Sequence, residues 1–293
     1  MSSPSIDLRW LLLPMIFATI GLGYFVQQSD FSLIFPLYVL FFACYFFVFS
    51  KSASQGDGIE NQKTITFFIF GGILLRLLLL VSFPGLSDDV YRFIWDGRLI
   101  VNGYNPFLHL PTHYIENNIA IAGITPELFD ELNSQEYFTI YPPVPQMIFS
   151  AAAWISPESW IGSIIVIRSF LIACEIGSIF FIKKLLDRFQ LPAENVLLYA
   201  LNPLIIIELC GNLHLEATMI FFLLMGIYFI SKIPIPKSAS RTLSSGSTSG
   251  TQTSFFLSAL AIALSIASKL LKNTPLRIGA KSKSKITPMI RKY

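Results

Sequence analysis

The sequence predicts an all-α protein: a multi-span transmembrane helical bundle with a long extracytoplasmic first loop that carries short helices. Three observations predict it. Hydrophobic residues make up 53% of the 293 positions and charged residues 13%, about half the charged share of a soluble domain, and mean hydropathy is +0.61. Apolar runs near the ~20 residues that a helix needs to cross a bilayer recur along the chain, which is a pattern of helices rather than of a barrel. Lysines and arginines gather in alternate connections, which gives the chain a direction across the membrane. The net charge of +3 leaves no electrostatic footprint for nucleic acid. Cys44, Cys174 and Cys210 all lie inside apolar runs. They read as small buried hydrophobes, with neither a disulfide framework nor a zinc site.

About six or seven spans are expected by run length. Residues 1–83 hold the first three, over about 10–26, 31–49 and 65–83. The first follows Arg9 and looks like a secretory signal, but its apolar run continues and no small-x-small cleavage site follows, so it reads as an uncleaved helix. Residues 84–143 form one long polar and aromatic loop. Residues 144–156 are apolar but too short to cross alone at ~1.5 Å of rise per residue; they are re-entrant, interfacial or part of a tilted helix. Within 144–233 follow runs over 160–182, 196–210 with Pro203 inside it, and 215–230, with the turn GNLHLEA between the last two. Residues 234–254 read as a flexible Ser/Thr/Gly linker. Residues 255–293 read as a weak last helix and a basic tail.

A cytoplasmic amino terminus places Lys51 and Lys63, then Lys183, Lys184 and Arg188, then Lys232, Lys237 and Arg241 inside. Loop 84–143 and the Gly211–His214 turn then share the outer face. The tail from Lys272 breaks this pattern if 255–271 crosses.

The loop opens with SDDVYRFIWDGRLIVNGYNPF, Ser87 to Phe107. Ser87 suits an N-cap, acids in a first turn favour the helix dipole, and Asn102-Gly103 suits the helix end near Val101. That structural role accounts for Asp88 and Asp89 without chemistry. A chemical role is favoured by their place just after a span, at the depth of a lipid head group, ahead of a long loop. A carboxylate there could take a proton from a hydroxyl or hold a divalent cation such as Mg or Mn. Asp88, Arg92, Trp95 and Asp96 recur at helical spacing and can share one face. His109 and His113 would pair on a metal only if their stretch were helical, and Pro106 and Pro111 oppose that. The loop's dense aromatics suit an interfacial belt, and a sugar ring could stack on one or two of them. Tyr141-Pro142-Pro143-Val144-Pro145 reads as rigid and extended, fixing how the loop re-enters.

Charges inside apolar runs are costly, which marks Arg76, Arg168, Glu175 and Glu208 as candidates. Arg168 and Glu175 lie two turns apart on one face, so mutual or inter-helix neutralisation accounts for them. Arg76 sits ~10 Å from the outer end of its run by helix rise. It could snorkel outward or bind a phosphate. His214 and Glu216 belong to a polar turn between two apolar runs, on the face that carries the acids.

Three motifs in order, Ser87–Phe107, IYPPVPQ at 140–146 and NPLIIIELCGNLHLEA at 202–217, resemble bacterial polyprenyl-phosphate-mannose-dependent mannosyltransferases of the glycosyltransferase-C superfamily. The resemblance covers about 74–229, and ALSIASKLL at 263–271 is similar to the start of a later family helix. It implies a hexosyltransferase in the bacterial inner membrane, multi-pass, with its active site outside the cytoplasm. The donor would be a polyprenyl-phosphate sugar, commonly mannose, and the acceptor a lipid or glycan. The family's catalytic acid falls on Asp88 or Asp89. Asp88, nearest the span end, is the expected base, with Asp89 assisting. Arg76, Arg92, Asp96, Arg98, Tyr141, His214 and Glu216 are the expected substrate-binding residues. The family has more spans than this chain offers, which suggests a truncated chain. An inactive remnant and a transporter of lipid-linked sugars are the rival expectations.

Overall fold

The computed structural model describes residues 7–56 and 58–232. The linker, the last apolar run and the basic tail, with Lys237 and Arg241, lie outside the described residues. Contacts divide the chain into two units, Met1–Tyr228 and Phe229–Tyr293, and the candidate site lies within the first.

Among the described residues every regular element is helical. A 3₁₀ turn, Leu8–Leu11, leads into α1 (Leu12–Tyr24). Helices α2 (Phe31–Ser54) and α3 (Ile59–Leu78) follow. The long loop contains α4 (Asp89–Val101), α5 (Pro111–Glu116) and α6 (Pro126–Asp130). Then come α7 (Pro143–Ile155) and α8 (Trp160–Phe189). A 3₁₀ turn, Ala193–Val196, opens α9 (Leu197–Ala200), and a π-helical turn, Ile205–Gly211, precedes α10 (Glu216–Ser231).

Two of these helices, α2 and α8, are long and apolar enough to cross a bilayer, and the pair Ala193–Ala200 plus Ile205–Gly211, bent by 50°, would make a third span if counted as one. The bend falls at Pro203, which lacks the N–H that a continuous helix needs. The Asn202 side chain accepts from the Leu204 N–H at 3.0 Å and seats the restart. The stretch 8–24 and α10 are shorter apolar helices. The run expected over 65–83 ends earlier: α3 stops at Leu78, and successive turn bonds from Leu79, Leu80 and Ser82 carry the chain out of it.

Two hydrophobic cores are joined by α8. The first gathers Met15 and Leu22 of α1, Phe41 and Val48 of α2, Phe68 and Leu75 of α3, Ile172 and Ile179 of α8, and Leu197 and Ile206. The second gathers Val90 and Trp95 of α4, Tyr114, Leu128, Phe149 of α7, and Ile164, Ile167 and Leu171 of α8, together with Leu209, Leu213 and Ala217. Loop 84–143 is therefore a folded layer that shares the second core with α7, α8 and the 209–217 segment. Its aromatics mostly build that core: Trp95 packs against Tyr114 at 6.3 Å and Phe129 at 6.0 Å, and Phe93 stacks on Phe149 at 4.6 Å.

Helix α7 is 13 residues long, shorter than the ~20 residues that crossing a bilayer takes. It lies against α4, and a Cβ on Gly97 would stand 2.3 Å from the Phe149 carbonyl oxygen, so only glycine permits this approach. The stretch Tyr141–Pro145 is extended only as far as Pro142, whose ψ is 173°. Pro143 then opens α7, since a helix's first turn has no use for the N–H that proline lacks.

Candidate active site

Helix α4 starts at the lip of the site. Asp88 holds the N-cap position without a side-chain cap bond. Ser87, expected there, lies one residue earlier and accepts weakly from the Asp89 N–H at 3.4 Å. Asn102 and Gly103, φ +83°, close the helix as expected. Asp88 is exposed and Asp89 half-buried. Asp89 accepts from the Asn133 amide at 3.3 Å.

Asp89, rather than Asp88, lines a cleft of about 280 Å³. Its walls include Arg92, Asn133, Ser134, Thr139 and Tyr141, and Tyr137, Phe138 and Ile140 stand at its rim. The rim is open: Tyr137 is 69% and Ile140 84% exposed. The cleft therefore offers one carboxylate, amide and hydroxyl groups, and exposed aromatic faces.

Behind this wall the predicted helix face divides. Arg92 donates to Asp96 at 2.9 Å and to the Ser134 and Tyr137 carbonyls at 3.0 and 2.9 Å. Asp96, fully buried, also accepts from Gln146 of α7 at 2.8 Å, and Gln146 donates to Thr139 at 3.0 Å. This network fixes the 134–139 segment against α4 and α7. Arg98 points to the opposite end of the layer, donating to the Gly123 carbonyl at 2.6 Å and that of Glu158 at 3.0 Å. Burial lowers its pKa, with Glu158 opposing. Asp96 and Arg98 are thus internal struts, and only Arg92 of the three reaches the cleft wall.

Tyr141 lines the cleft. Burial raises its hydroxyl pKa, and the charges of Asp89, Asp96 and Glu216 raise it further while Arg92 lowers it. Tyr91, beside the same lip, is pushed up to about 12 by burial, Glu131 and Asp88.

The second cluster is the GNLHLEA turn. Glu208, on the π-helical turn, accepts from the Tyr38 hydroxyl at 3.1 Å and the Asn212 amide at 2.9 Å, and its carboxylate stands 3.7 Å from His214 Nδ1. Leu213 is buried with φ +62°, a left-handed conformation costing a leucine about 1–2 kcal/mol. A π turn and a strained residue side by side are features that gather at functional sites. The strain aims consecutive side chains apart: Leu213 enters the second core while His214 stays one-third exposed. Glu216 is exposed at the start of α10. Neither the strain nor the Tyr38–Glu208 contact has a signature in the sequence.

Of the two neutralisation alternatives expected for the charges in apolar runs, Glu175 takes the inter-helix one. Glu175 meets Arg76 at 3.0 Å, both fully buried, and not Arg168 on its own helix. The Tyr199 hydroxyl also donates to Glu175, and Arg76 donates to the Gly72 and Ala200 carbonyls at 2.9 and 2.7 Å. Arg76 therefore neither snorkels nor faces the cleft. Arg168 bonds only backbone carbonyls, those of Leu80, Ser82, Cys210 and Gly211.

His109 and His113 stack face to face at 4.1 Å. Among the described residues no group of three His, Cys, Asp or Glu side chains could hold a metal. Asp88 and Asp89, which could hold Mg or Mn, belong to no such group.

A family model described as "Alpha-(1->6)-mannopyranosyltransferase, N-terminal domain" matches residues 39–277. Among curated proteins, Alpha-(1->6)-mannopyranosyltransferase B of Corynebacterium glutamicum is 23% identical over 150 residues, which cover 51% of this chain and 24% of that protein. The match thus spans about a quarter of the relative's length. No solved structure matches.

Proposed function

Because this chain belongs to the alpha-(1→6)-mannopyranosyltransferase family, we propose that it is a membrane hexosyltransferase that moves mannose from a polyprenyl-phosphate donor to a lipid or glycan acceptor outside the cytoplasm. An acid of the Asp88–Asp89 pair takes the proton of an acceptor hydroxyl. That oxygen bonds to the anomeric carbon while the bond from carbon to phosphate oxygen breaks, with inversion. Polyprenyl phosphate leaves with the electron pair.

The observation that carries this reading is the Asp89 carboxylate on the wall of a cleft sized for a sugar ring. Cleft position favours Asp89 as the base, with the exposed Asp88 assisting by charge. Asn133 orients the Asp89 carboxylate and leaves one oxygen free to accept a proton. Arg92 supplies positive charge beside the departing phosphate. His214 and Glu216 are assigned to the donor or the acceptor, and Tyr141, a cleft residue whose hydroxyl burial keeps protonated, can donate. Arg76, Asp96 and Arg98 hold the frame. A divalent cation would need phosphate oxygens from the donor to complete its shell, and no step here passes through one.

The test is transfer of labelled mannose from polyprenyl-phosphate-mannose in membranes carrying the chain. Labelled glycan should form, and Asp88→Ala/Asp89→Ala should lower its rate by about 10²-fold or more, the usual worth of a positioned base. Transfer at the wild-type rate by that double variant would remove the base assignment. Passage of the labelled lipid across the bilayer without transfer would mark a transporter instead.

A further inference from the structure

Arg168 is a fully buried cation that among the described residues has no carboxylate partner. Its guanidinium bonds four backbone carbonyls from two separate segments. Nη1 donates to the Leu80 carbonyl at 3.1 Å and to that of Ser82. Nε and Nη2 donate to the Cys210 and Gly211 carbonyls at 2.7 and 2.8 Å. The first segment is where α3 unwinds on its way to Ser87, Asp88 and Asp89. The second is the end of the π-helical turn, just ahead of Asn212, Leu213 and His214. The first lies in the turns just past the end of α3, and the second is the last turn of the π helix, whose carbonyls lack intrahelical donors and carry partial negative charge. One planar fork therefore holds two chain segments at once, and each segment leads into one of the two polar clusters.

From this geometry we infer that Arg168 is a positioning residue, a clamp that sets the acidic loop against the histidine turn. The inference rests on the proposed transfer reaction for its consequence in rate, and on the carbonyl contacts alone for its structural part. Burying a charge is costly unless it is hydrogen-bonded throughout. The four carbonyls meet that need only while both segments hold their places, so the cation and the two segments stabilise one arrangement. The strained Leu213 then follows: the clamp fixes Gly211 and the second core fixes the leucine side chain, and the backbone between them takes the left-handed turn. Lysine offers a point charge in place of the fork, so it can hold one segment but not both.

Two measurements on the membrane-inserted chain test the clamp. Nitroxide labels at Val81→Cys, in the first segment, and Met219→Cys, in the α10 helix that follows the second, are both exposed and report how the two sides are held together, and the native cysteines are buried away from the reagent. The wild-type background should give one narrow distance distribution, and Arg168→Lys a broadened or shifted one. Transfer by Arg168→Lys should fall by about 10²-fold in kcat, with KM within about threefold, since small misplacements act on the reacting geometry. If the lysine variant fails to fold, Arg168→Gln, a neutral and shorter donor, gives the same comparison. An unchanged distribution in a folded variant overturns the clamp, whatever happens to transfer. A broadened distribution in a protein that transfers nothing in wild-type form upholds the clamp and counts against the proposed reaction.

Discussion

At the scale of single residues the account turns on which acid faces the cleft. Both aspartates look equivalent in sequence, and nearness to the preceding run favours Asp88. The fold separates them, because Asp88 occupies the exposed N-cap while Asp89, one helical step on, turns toward Asn133. Asp89→Asn is expected to lower transfer by about 10²-fold to 10⁴-fold, and Asp88→Asn by less than about tenfold. Initial rates with labelled donor distinguish the two. Tyr91 gives a pH prediction. Its pKa is raised from 10.0 to about 12, so the folded state holds its proton where the unfolded state has lost it. The resulting stability is complete below pH 10 and is lost as pH rises from there toward about 12. Tyr91→Phe should lessen the alkaline drop in melting temperature over that window, read by thermal unfolding in detergent at stepped pH. The buried charges were legible as unusual, but their partners were not. Arg76 and Glu175 are 99 residues apart, and only packing of α3 against α8 brings them together. Removing either alone should destabilise the protein by about 3–5 kcal/mol, and replacing both by methionine by much less than the sum. A double-mutant cycle of unfolding free energies checks this.

At the scale of elements, the end of α4 was well read and its start less so. Asn102-Gly103 ends α4 where the residue chemistry requires, while Ser87 yields the N-cap to Asp88, and the run that contains Pro203 is broken rather than continuous. Less legible was the fate of the aromatics. A belt and a core draw on the same residues, and only the closure of α7 on α4 decides between them. That closure depends on Gly97. In Gly97→Ala the new methyl would meet a backbone oxygen that no rotamer change can move aside, so a loss of about 1–3 kcal/mol is expected. The same change should widen the cleft wall carried by Gln146 and Thr139, lowering transfer along with melting temperature. A variant that melts and transfers like wild type would show that the two helices are not held so closely.

At the scale of the whole molecule, composition announced a helical membrane protein, and the apolar helices agree with it. Run length was a poorer guide to spans, because α1 and α3 stop sooner than their apolar stretches and the run over 196–210 is bent between α9 and the π-helical turn. Folding of loop 84–143 onto α8 was not legible, since its contacts are long-range and its own helices are short. The central claim is that this folded layer opens its acidic cleft to the outer side, where a sugar on an exported lipid carrier can reach it. Cysteine placed at Ile140, 84% exposed on the cleft rim, tests that claim most directly. In intact cells a membrane-impermeant maleimide should label Ile140→Cys as fully as after lysis. Labelling only after lysis would put the cleft in the cytoplasm and contradict the account.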